Sequence, residues 1–264
     1  MVRLIAQLTD VHIGGPQPDN GERFSAAVDE INRMTRQPDL VLLTGDLTHN
    51  GAPAEWRELT DRLAQLEAPF HAIAGNHDQG IDELAGHRTL DLDPLHLVLL
   101  DTSSNEVSPD DASWLDQRLT QASDRPVVIA MHHPPFETGI WWMDCVGLKH
   151  ASRIEAVVRR HPQVIKVLAG HVHRPIQSAW GPCSLWACPA TSVAIAPDLD
   201  PDHAPAETAE PPSFSLHAYT NDGAMVTHVV PVGPAAARSA IGAVAPEFVG
   251  WARQVQRDRP STFT

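Results

Sequence analysis

The strongest constraint on the fold is a series of short apolar runs that alternate with longer amphipathic segments. Each apolar run has the length of a buried β-strand, and the runs are Leu4–Leu8, Asp39–Thr44, Phe70–Ala74, Leu95–Leu100, Val127–Met131 and Val164–Ala169. Helical periodicity between them predicts helices at Arg23–Met34, Ala54–Leu66, Ala112–Ala122 and Ser152–Arg160. Because strands alternate with helices, we expect a largely parallel sheet with helices outside it.

The pattern changes after Ile176, where strand-like segments follow one another without helices between them. These segments are Leu185–Cys188, Ser213–Tyr219 and Ala224–Val230. A second sheet packed against the first explains them. We expect one large domain over residues 1–232 and a helical tail over residues 233–264, which Pro246 divides into the helices Ala235–Val244 and Phe248–Val255. The tail is expected to dock on its own domain or to join subunits of a homo-oligomer.

The charge balance constrains the partners of the protein. The chain has 19 Lys and Arg against 33 Asp and Glu, a net charge of −14, which argues against a nucleic acid or an anionic membrane as partner. No apolar run approaches the roughly 20 residues that span a bilayer. The segment Met1–Leu8 is too short for a secretory apolar region. We therefore expect a cytoplasmic protein that acts on a small molecule.

Metal-binding side chains follow five of the apolar runs. The segments are Thr9-Asp10-Val11-His12, Gly45-Asp46, Gly75-Asn76-His77-Asp78, His132-His133 and Gly170-His171-Val172-His173. The carboxyl ends of parallel strands meet at one edge of a sheet, where open α/β proteins bind their ligands. A spacing of two residues on a strand would also point Asp10 and His12 to the same side.

Alone, each segment has an ordinary structural explanation. Asp-x-His is common in surface turns, and Asn76 or Asp78 could cap a helix. Five such segments at five strand ends are better explained by a metal site. Oxygen and imidazole donors without cysteine suit first-row divalent ions, so zinc, manganese, iron and cobalt all remain possible.

In order and content, these segments resemble the calcineurin-like metallophosphoesterase superfamily, over about Leu4–His173 and on to Val230. The resemblance implies an α/β fold, a four-layer αββα sandwich of two packed mixed β-sheets flanked by helices. It also implies a two-metal site. The first ion would be held by Asp10, His12 and His173, the second by Asn76, His132 and His171, and Asp46 would bridge them. A hydroxide shared by two such ions, about 3.5–4 Å apart, would then attack phosphorus.

The same resemblance implies that His77 faces the substrate without binding metal, and that it stabilises the transition state or protonates the leaving oxygen. Asp78 would orient His77. An imidazole suits this role because it exchanges protons near neutral pH. His133 follows a predicted ligand, and on a strand its side chain would point the other way, so we leave it out of the metal site.

Within the superfamily, the chain looks most like class III cyclic-nucleotide phosphodiesterases and their glycerophosphodiesterase relatives. We favour hydrolysis of a 3′,5′-cyclic nucleotide (cAMP or cGMP) to the 5′-monophosphate, with glycerophosphodiesters or a broad range of small diesters as the alternative. Trp141 and Trp142 lie in a glycine-flanked segment that suits a lid stacking on a base, although core packing explains them equally well. His49 follows the predicted bridging residue and is a candidate substrate contact. A catalytically inactive metal-binding scaffold is the alternative of another class.

Overall fold

The computed structural model describes residues 2–233 and 246–258. In chain order its strands are β1 (Arg3–Leu8), β2 (Leu40–Thr44), β3 (Phe70–Ile73), β4 (Arg88–Leu92), β5 (Leu95–Leu99), β6 (Val127–Ala130), β7 (Val164–Ala169), β8 (Ile176–Trp180), β9 (Cys183–Ala187), β10 (Ala194–Ile195), β11 (Glu207–Thr208), β12 (Ser213–Tyr219) and β13 (Met225–Pro231). Its helices are α1 (Asn20–Asn32), α2 (Pro53–Leu63), α3 (Pro109–Gln121), α4 (Trp141–Cys145), α5 (Ser152–Val158) and α6 (Pro246–Asp258).

The strands form two mixed sheets. The first has the order β13-β12-β1-β2-β3 and the second the order β4-β5-β6-β7-β9-β8. We expected the strands after Ile176 to form a second sheet by themselves, and this expectation is wrong. Strands β12 and β13 extend the first sheet from the edge of β1, whereas β8 and β9 extend the second from the edge of β7. Each extension pairs backbone groups that an open edge would leave without partners.

Apolar packing arranges the sheets and helices in four layers. Helices α1 and α2 cover the outer face of the first sheet through residues such as Phe24 and Leu59. Helices α3 and α5 cover the outer face of the second sheet through Leu115 and Ile154. A third apolar cluster, which includes Ile5, lies between the sheets. The predicted αββα sandwich is confirmed.

Some elements escaped the sequence analysis. The edge strand β4 has only partly buried or exposed residues, so its sequence lacks an apolar run. The segment around Trp141 and Trp142 forms the short helix α4 instead of an open loop. In the tail, the predicted helix Phe248–Val255 is confirmed within α6, whereas Ala235–Val244 lies outside the described residues. Docking of the tail stays a prediction. In residues 2–233 and 246–258, no helix is long and apolar enough to cross a bilayer.

His217 is a fully buried imidazole between the two sheets, and burial lowers its pKa well below the usual range. Below about pH 6.5 the unfolded chain binds a proton that the folded chain excludes, so this residue makes stability fall as the pH falls, by about 1.4 kcal/mol per pH unit. Between pH 7 and pH 5.5 the wild type should therefore lose more unfolding free energy than His217→Gln does, by about 1.4 kcal/mol. Urea unfolding of metal-free protein at both pH values measures it, with the exposed His203→Gln as control. An unchanged pH dependence would contradict the prediction.

Candidate dinuclear metal centre

The five predicted segments converge at the carboxyl ends of β1, β2, β3, β6 and β7, but the backbone brings them together in an unexpected way. Strand β1 ends at Leu8, so Asp10 and His12 lie beyond it and strand alternation does not align them. Five of the predicted ligands instead adopt positive φ angles: Asp10 (52°), His12 (51°), Asp46 (52°), His171 (70°) and His173 (54°). Left-handed backbone costs a non-glycine residue about 1–3 kcal/mol, and such strain is concentrated at functional sites.

Two glycines permit the close approach of these turns. A Cβ atom on Gly75 would lie 2.1 Å from Oδ1 of Asp46, and one on Gly170 would lie 2.0 Å from Oγ1 of Thr9. Neither neighbour can move without disturbing the turn that carries a predicted ligand. The glycines before Asn76 and His171 are therefore required by contact.

Asp10, His12 and His173 form the first donor group. Nε2 of His12 lies 3.2 Å from Nε2 of His173, which in turn lies 3.5 Å from Oδ1 of Asp10. The donor atoms of all three residues fall within 4.8 Å of one another. One cation could contact all three.

Asp46 lies between this group and a second one. Its Oδ2 is 3.7 Å from Nε2 of His12 and 3.2 Å from Nε2 of His132. Its Oδ1 accepts a hydrogen bond of 2.9 Å from the backbone N–H of His77, which fixes the carboxylate. This is the position that a bridging ligand requires.

Asn76, His132 and His171 supply the second donor group. Three of their atoms are buried without a hydrogen-bond partner in the described structure: Asn76 Oδ1, His132 Nε2 and His171 Nε2. Although His132 Nε2 is close to Asp46, the pair does not have hydrogen-bond geometry. Buried polar atoms without partners are costly, and a bound divalent ion would satisfy all three. The donor set therefore fits a metal, and its oxygen and nitrogen chemistry fits a first-row divalent ion.

The second ring nitrogens of three of these histidines also have contacts. Nδ1 of His132 donates to the Thr44 carbonyl at 2.8 Å, and Nδ1 of His173 donates to the Val193 carbonyl at 2.8 Å. Nδ1 of His12 lies 3.4 Å from Nδ1 of His49. Contacts of this kind direct the remaining nitrogen toward the ion and set the tautomer.

Electrostatics prepare most of the site for a cation. Burial, reinforced by His132, lowers the pKa of His171 to about 3, and burial lowers that of His12 well below its usual range. Although burial opposes it, the neighbouring imidazoles His132 and His12 hold the pKa of Asp46 well below normal. There are two exceptions. Burial raises the pKa of Asp10, and at His132 Asp46 outweighs burial and raises the pKa to about 9. A cation at this position displaces a proton.

His77 lies beside the metal groups, but Asp78 does not orient it. The ring nitrogen Nδ1 of His77 donates to the backbone carbonyl of His49 at 2.7 Å. Asp78 instead accepts hydrogen bonds from the backbone N–H groups of Leu47, Thr48 and Gly75. Its carboxylate ties the loop after Asp46 to the loop after β3, so the predicted contact with His77 is corrected.

His133 lies closer to the site than expected. Strand β6 ends at Ala130, so the strand alternation that would turn this ring away has already stopped. The ring centroids of His133 and His171 are 4.4 Å apart, and Nε2 of His133 is buried without a hydrogen-bond partner among the described residues. The expectation that His133 points away is wrong. Its ring belongs to the surroundings of the second donor group.

Residues of both donor groups line a cavity of about 790 Å³, namely His12, His173, Asn76 and His171, together with Asp46. His49, His77 and Trp142 line it, whereas Trp141 is not among its lining residues. Trp142 shares the apolar wall with Met143 and Val146.

Two distant segments complete the cavity wall, and sequence reasoning missed them. Ile195 lies on β10 and Glu207 on β11, and these two short strands pair with each other. Arg174, next to His173, donates to the Ile195 carbonyl at 2.7 Å and pairs with Glu210 at 2.8 Å, which holds this wall in place. No local motif marks these residues, because their role arises from contacts across the fold.

Comparison with known proteins agrees with the geometry. A probable glycerophosphodiester phosphodiesterase of Arcobacter nitrofigilis is 28% identical over 255 residues, which cover 87% of this chain and 93% of that protein. A probable cyclic nucleotide phosphodiesterase of Synechococcus is 34% identical over 212 residues, covering 73% and 82%. The 3′,5′-cyclic adenosine monophosphate phosphodiesterase of Escherichia coli K12 is 26% identical over 247 residues, covering 85% and 88%.

A solved structure shows the same fold. A dimetal phosphatase from Danio rerio superposes with a TM-score of 0.65 at 13% identity, covering 88% of this chain and 99% of that protein. Residues 3–175, which contain all the metal-binding segments, match the calcineurin-like phosphoesterase family. The chain belongs to the calcineurin-like phosphoesterase family.

Proposed function

We propose that this protein is a binuclear-metal phosphodiesterase, and that its favoured substrates are 3′,5′-cyclic nucleotides, hydrolysed to 5′-monophosphates. The position of Asp46 carries the proposal. Its Oδ2 lies within 3.7 Å of the nearest nitrogen of each donor group, so a single carboxylate can serve two ions at the floor of a cavity. Such pairs of ions are suited to displacement at phosphorus.

In this assignment each side chain has one role. One ion would be held by Asp10, His12 and His173, the other by Asn76, His132 and His171, and both by Asp46. When bound, the two ions supply an activated water as nucleophile and neutralise charge on the phosphate. The mechanism therefore requires no nucleophile from the protein.

His77 is the proposed proton donor to the leaving oxygen. Its Nδ1–H is committed to the His49 carbonyl, which can only accept. Nε2 is therefore the nitrogen that exchanges a proton with a molecule in the cavity. By accepting this hydrogen bond, the His49 carbonyl also stabilises the His77 ring when both of its nitrogens carry a proton. Proton transfer by a positioned side chain typically contributes about 10²–10⁴-fold to the rate.

The size and wall of the cavity support a nucleotide. About 790 Å³ lies within the range of small-molecule sites, and Trp142 is an aromatic residue in the wall of the same cavity. The named cyclic nucleotide phosphodiesterases among the relatives support the same choice. A glycerophosphodiester remains the alternative because a relative with that name aligns over 87% of this chain. A cytoplasmic location and the lack of a nucleic-acid partner stay predictions from composition.

The inactive scaffold is the weaker candidate. A chain that has become an inactive scaffold is expected to lose metal-binding residues. Here all seven predicted ligand residues are present and lie close together. Binding of two ions without turnover of any diester would favour it again.

The function is tested by reconstituting the protein with manganese, iron, zinc or cobalt and following product formation. Cyclic AMP, glycerophosphocholine and bis(p-nitrophenyl) phosphate are compared, with a chelated control. We expect chelator-sensitive hydrolysis of cyclic AMP well above the other two. Preference for glycerophosphocholine would support the alternative substrate, and silence on all three with two bound ions would support the scaffold.

Trp142 is expected to contribute to base recognition. We expect Trp142→Ala to lower kcat/KM for cyclic AMP about 10-fold, because stacking of one base is worth about 1–3 kcal/mol. The small diester methyl p-nitrophenyl phosphate should lose less. The neighbouring Trp141→Ala is the matched control, since that ring is not among the cavity-lining residues. Equal losses on both substrates would reduce Trp142 to a packing role.

A further inference from the structure

Gln7 is a polar residue in the apolar layer between the two sheets. It lies near the end of β1, its exposure is 0%, and it shares this layer with Ile5 and Leu168. Burying an amide without hydrogen bonds would be costly. Its position therefore requires partners.

The Gln7 carboxamide has a partner for every strong hydrogen-bonding atom. Its Nε2 donates to Thr44 Oγ1 at 2.9 Å and to the Ala169 carbonyl at 2.9 Å, while its Oε1 accepts from His217 Nε2 at 3.0 Å. Thr44 belongs to the first sheet and Ala169 to the second. A single side chain thus joins β1, β2 and β7 across the gap between the sheets.

Two of these contacts, Thr44 and Ala169, lie directly before a metal-binding segment. Thr44 precedes Gly45-Asp46, and its own carbonyl accepts the Nδ1–H of His132 at 2.8 Å. Ala169 precedes Gly170-His171, and the N–H of Gly170 donates to the His132 carbonyl at 2.8 Å. The metal centre takes ligands from both sheets, so its geometry depends on how the sheets are aligned at these points.

A hydrogen-bond chain on the far side fixes the orientation of the amide. Because Oε1 of Gln7 can only accept, His217 carries its proton on Nε2. Nδ1 of His217 then accepts from Thr227 Oγ1 at 2.8 Å, and Thr227 accepts in turn from the Lys166 ammonium. Burial keeps His217 neutral by lowering its pKa, as this arrangement requires. A flipped amide would place a donor against a donor.

We propose that Gln7 is a positioning residue of the metal centre. Its hydrogen bonds link β1, β2 and β7 and so set the spacing between the segment that carries Asp46 and the segment that carries His171. His217 fixes the orientation of the Gln7 carboxamide through its hydrogen bond to Oε1. The inference rests on the two-metal assignment of the proposed function, but it is independent of which diester is cleaved.

The test measures metal binding in Gln7→Met, which keeps side-chain length and removes all three polar contacts. Ser215→Ala is the matched control, because Ser215 also lies buried between the sheets and accepts a 2.9 Å hydrogen bond from Trp186 in the other sheet. Cobalt titration, followed by absorption and calorimetry, gives stoichiometry, affinity and ligand-field spectrum, and thermal unfolding of metal-free protein gives stability. Loss of an outer contact to metal ligands typically costs 10–100-fold in affinity.

We expect Gln7→Met to weaken cobalt binding about 10-fold, the lower end of that range because Gln7 contacts neighbours of the ligands and not the ligands themselves. The spectrum should also change, while Ser215→Ala lowers stability and leaves affinity and spectrum unchanged. Thr44→Val removes one of the contacts and keeps the strand, so it should show a smaller loss of affinity if Gln7→Met does not fold. If Gln7→Met and Thr44→Val both keep the cobalt affinity and spectrum of the wild type, despite reduced stability, the inference is overturned. Wild-type protein that binds fewer than two ions would instead overturn the proposed function.

Discussion

Replacing Asp46 with alanine is expected to abolish diester hydrolysis and to weaken the binding of both ions. The carboxylate lies 3.2 Å from the nitrogen of His132 and 3.7 Å from that of His12, so its removal deprives each donor group of a shared anion. Each site should lose more than the 10–100-fold in affinity that an outer-shell substitution typically costs. Metal content after dialysis and turnover of cyclic AMP measure the two effects.

Asp39→Ala is the matched control for this substitution. Asp39 lies just before the other end of β2, where its carboxylate accepts from Arg3 and from the N–H of Leu4. Its loss removes a carboxylate at the opposite end of β2 without touching the metal site, so activity and metal content should persist. Retention of two tightly bound ions in Asp46→Ala would contradict the bridging assignment.

Replacing His77 with alanine is expected to leave metal content intact and to lower the turnover of cyclic AMP about 10²–10⁴-fold. The size of the loss should depend on the leaving group. The ribose oxygen of a cyclic nucleotide needs a proton as it departs, whereas p-nitrophenolate is stable without one. Hydrolysis of bis(p-nitrophenyl) phosphate should therefore suffer much less. Steady-state kinetics on both substrates, with metal analysis, measure the difference.

His71→Ala controls for the loss of a histidine outside the site, since this exposed residue lies on β3 and is not among the cavity-lining residues. It should behave as wild type on both substrates. If His77→Ala loses metal, His77 is a ligand. If His77→Ala lowers the turnover of both substrates equally, the His77 ring acts on the phosphate and does not protonate the leaving oxygen.

Several parts of the site were readable in the sequence because they depend on local patterns. Apolar runs predicted the strands β1, β2, β3, β6 and β7 to within about a residue at each end. The positions after those runs predicted the donor residues, because carboxyl ends of parallel strands meet at one edge. The family comparison covers the same region, residues 3–175.

Other parts of the site were predicted wrongly because side chains alternate between the two faces only as far as the strand extends. Strand alternation was applied to Asp10 and His12, which lie beyond the end of β1, and to His133, which lies beyond β6. There the backbone follows turns whose φ angles depend on neighbouring loops. The contact of Asp78 with His77 was expected from the family resemblance, but in this fold the Asp78 carboxylate accepts from the backbone N–H groups of Leu47 and Thr48.

By itself, the sequence determined the alternation of buried strands with helices, the residues that can bind metal and the class of chemistry they suit. These follow from periodicity and from the donor atoms of single side chains. Only the tertiary structure decided how Asp46 lies between two donor groups, how Ile195 and Glu207 close the cavity, and how Gln7 joins both sheets behind the ligands. Such relations join residues far apart in the chain, and they exist only once burial has forced each polar group to find its partner.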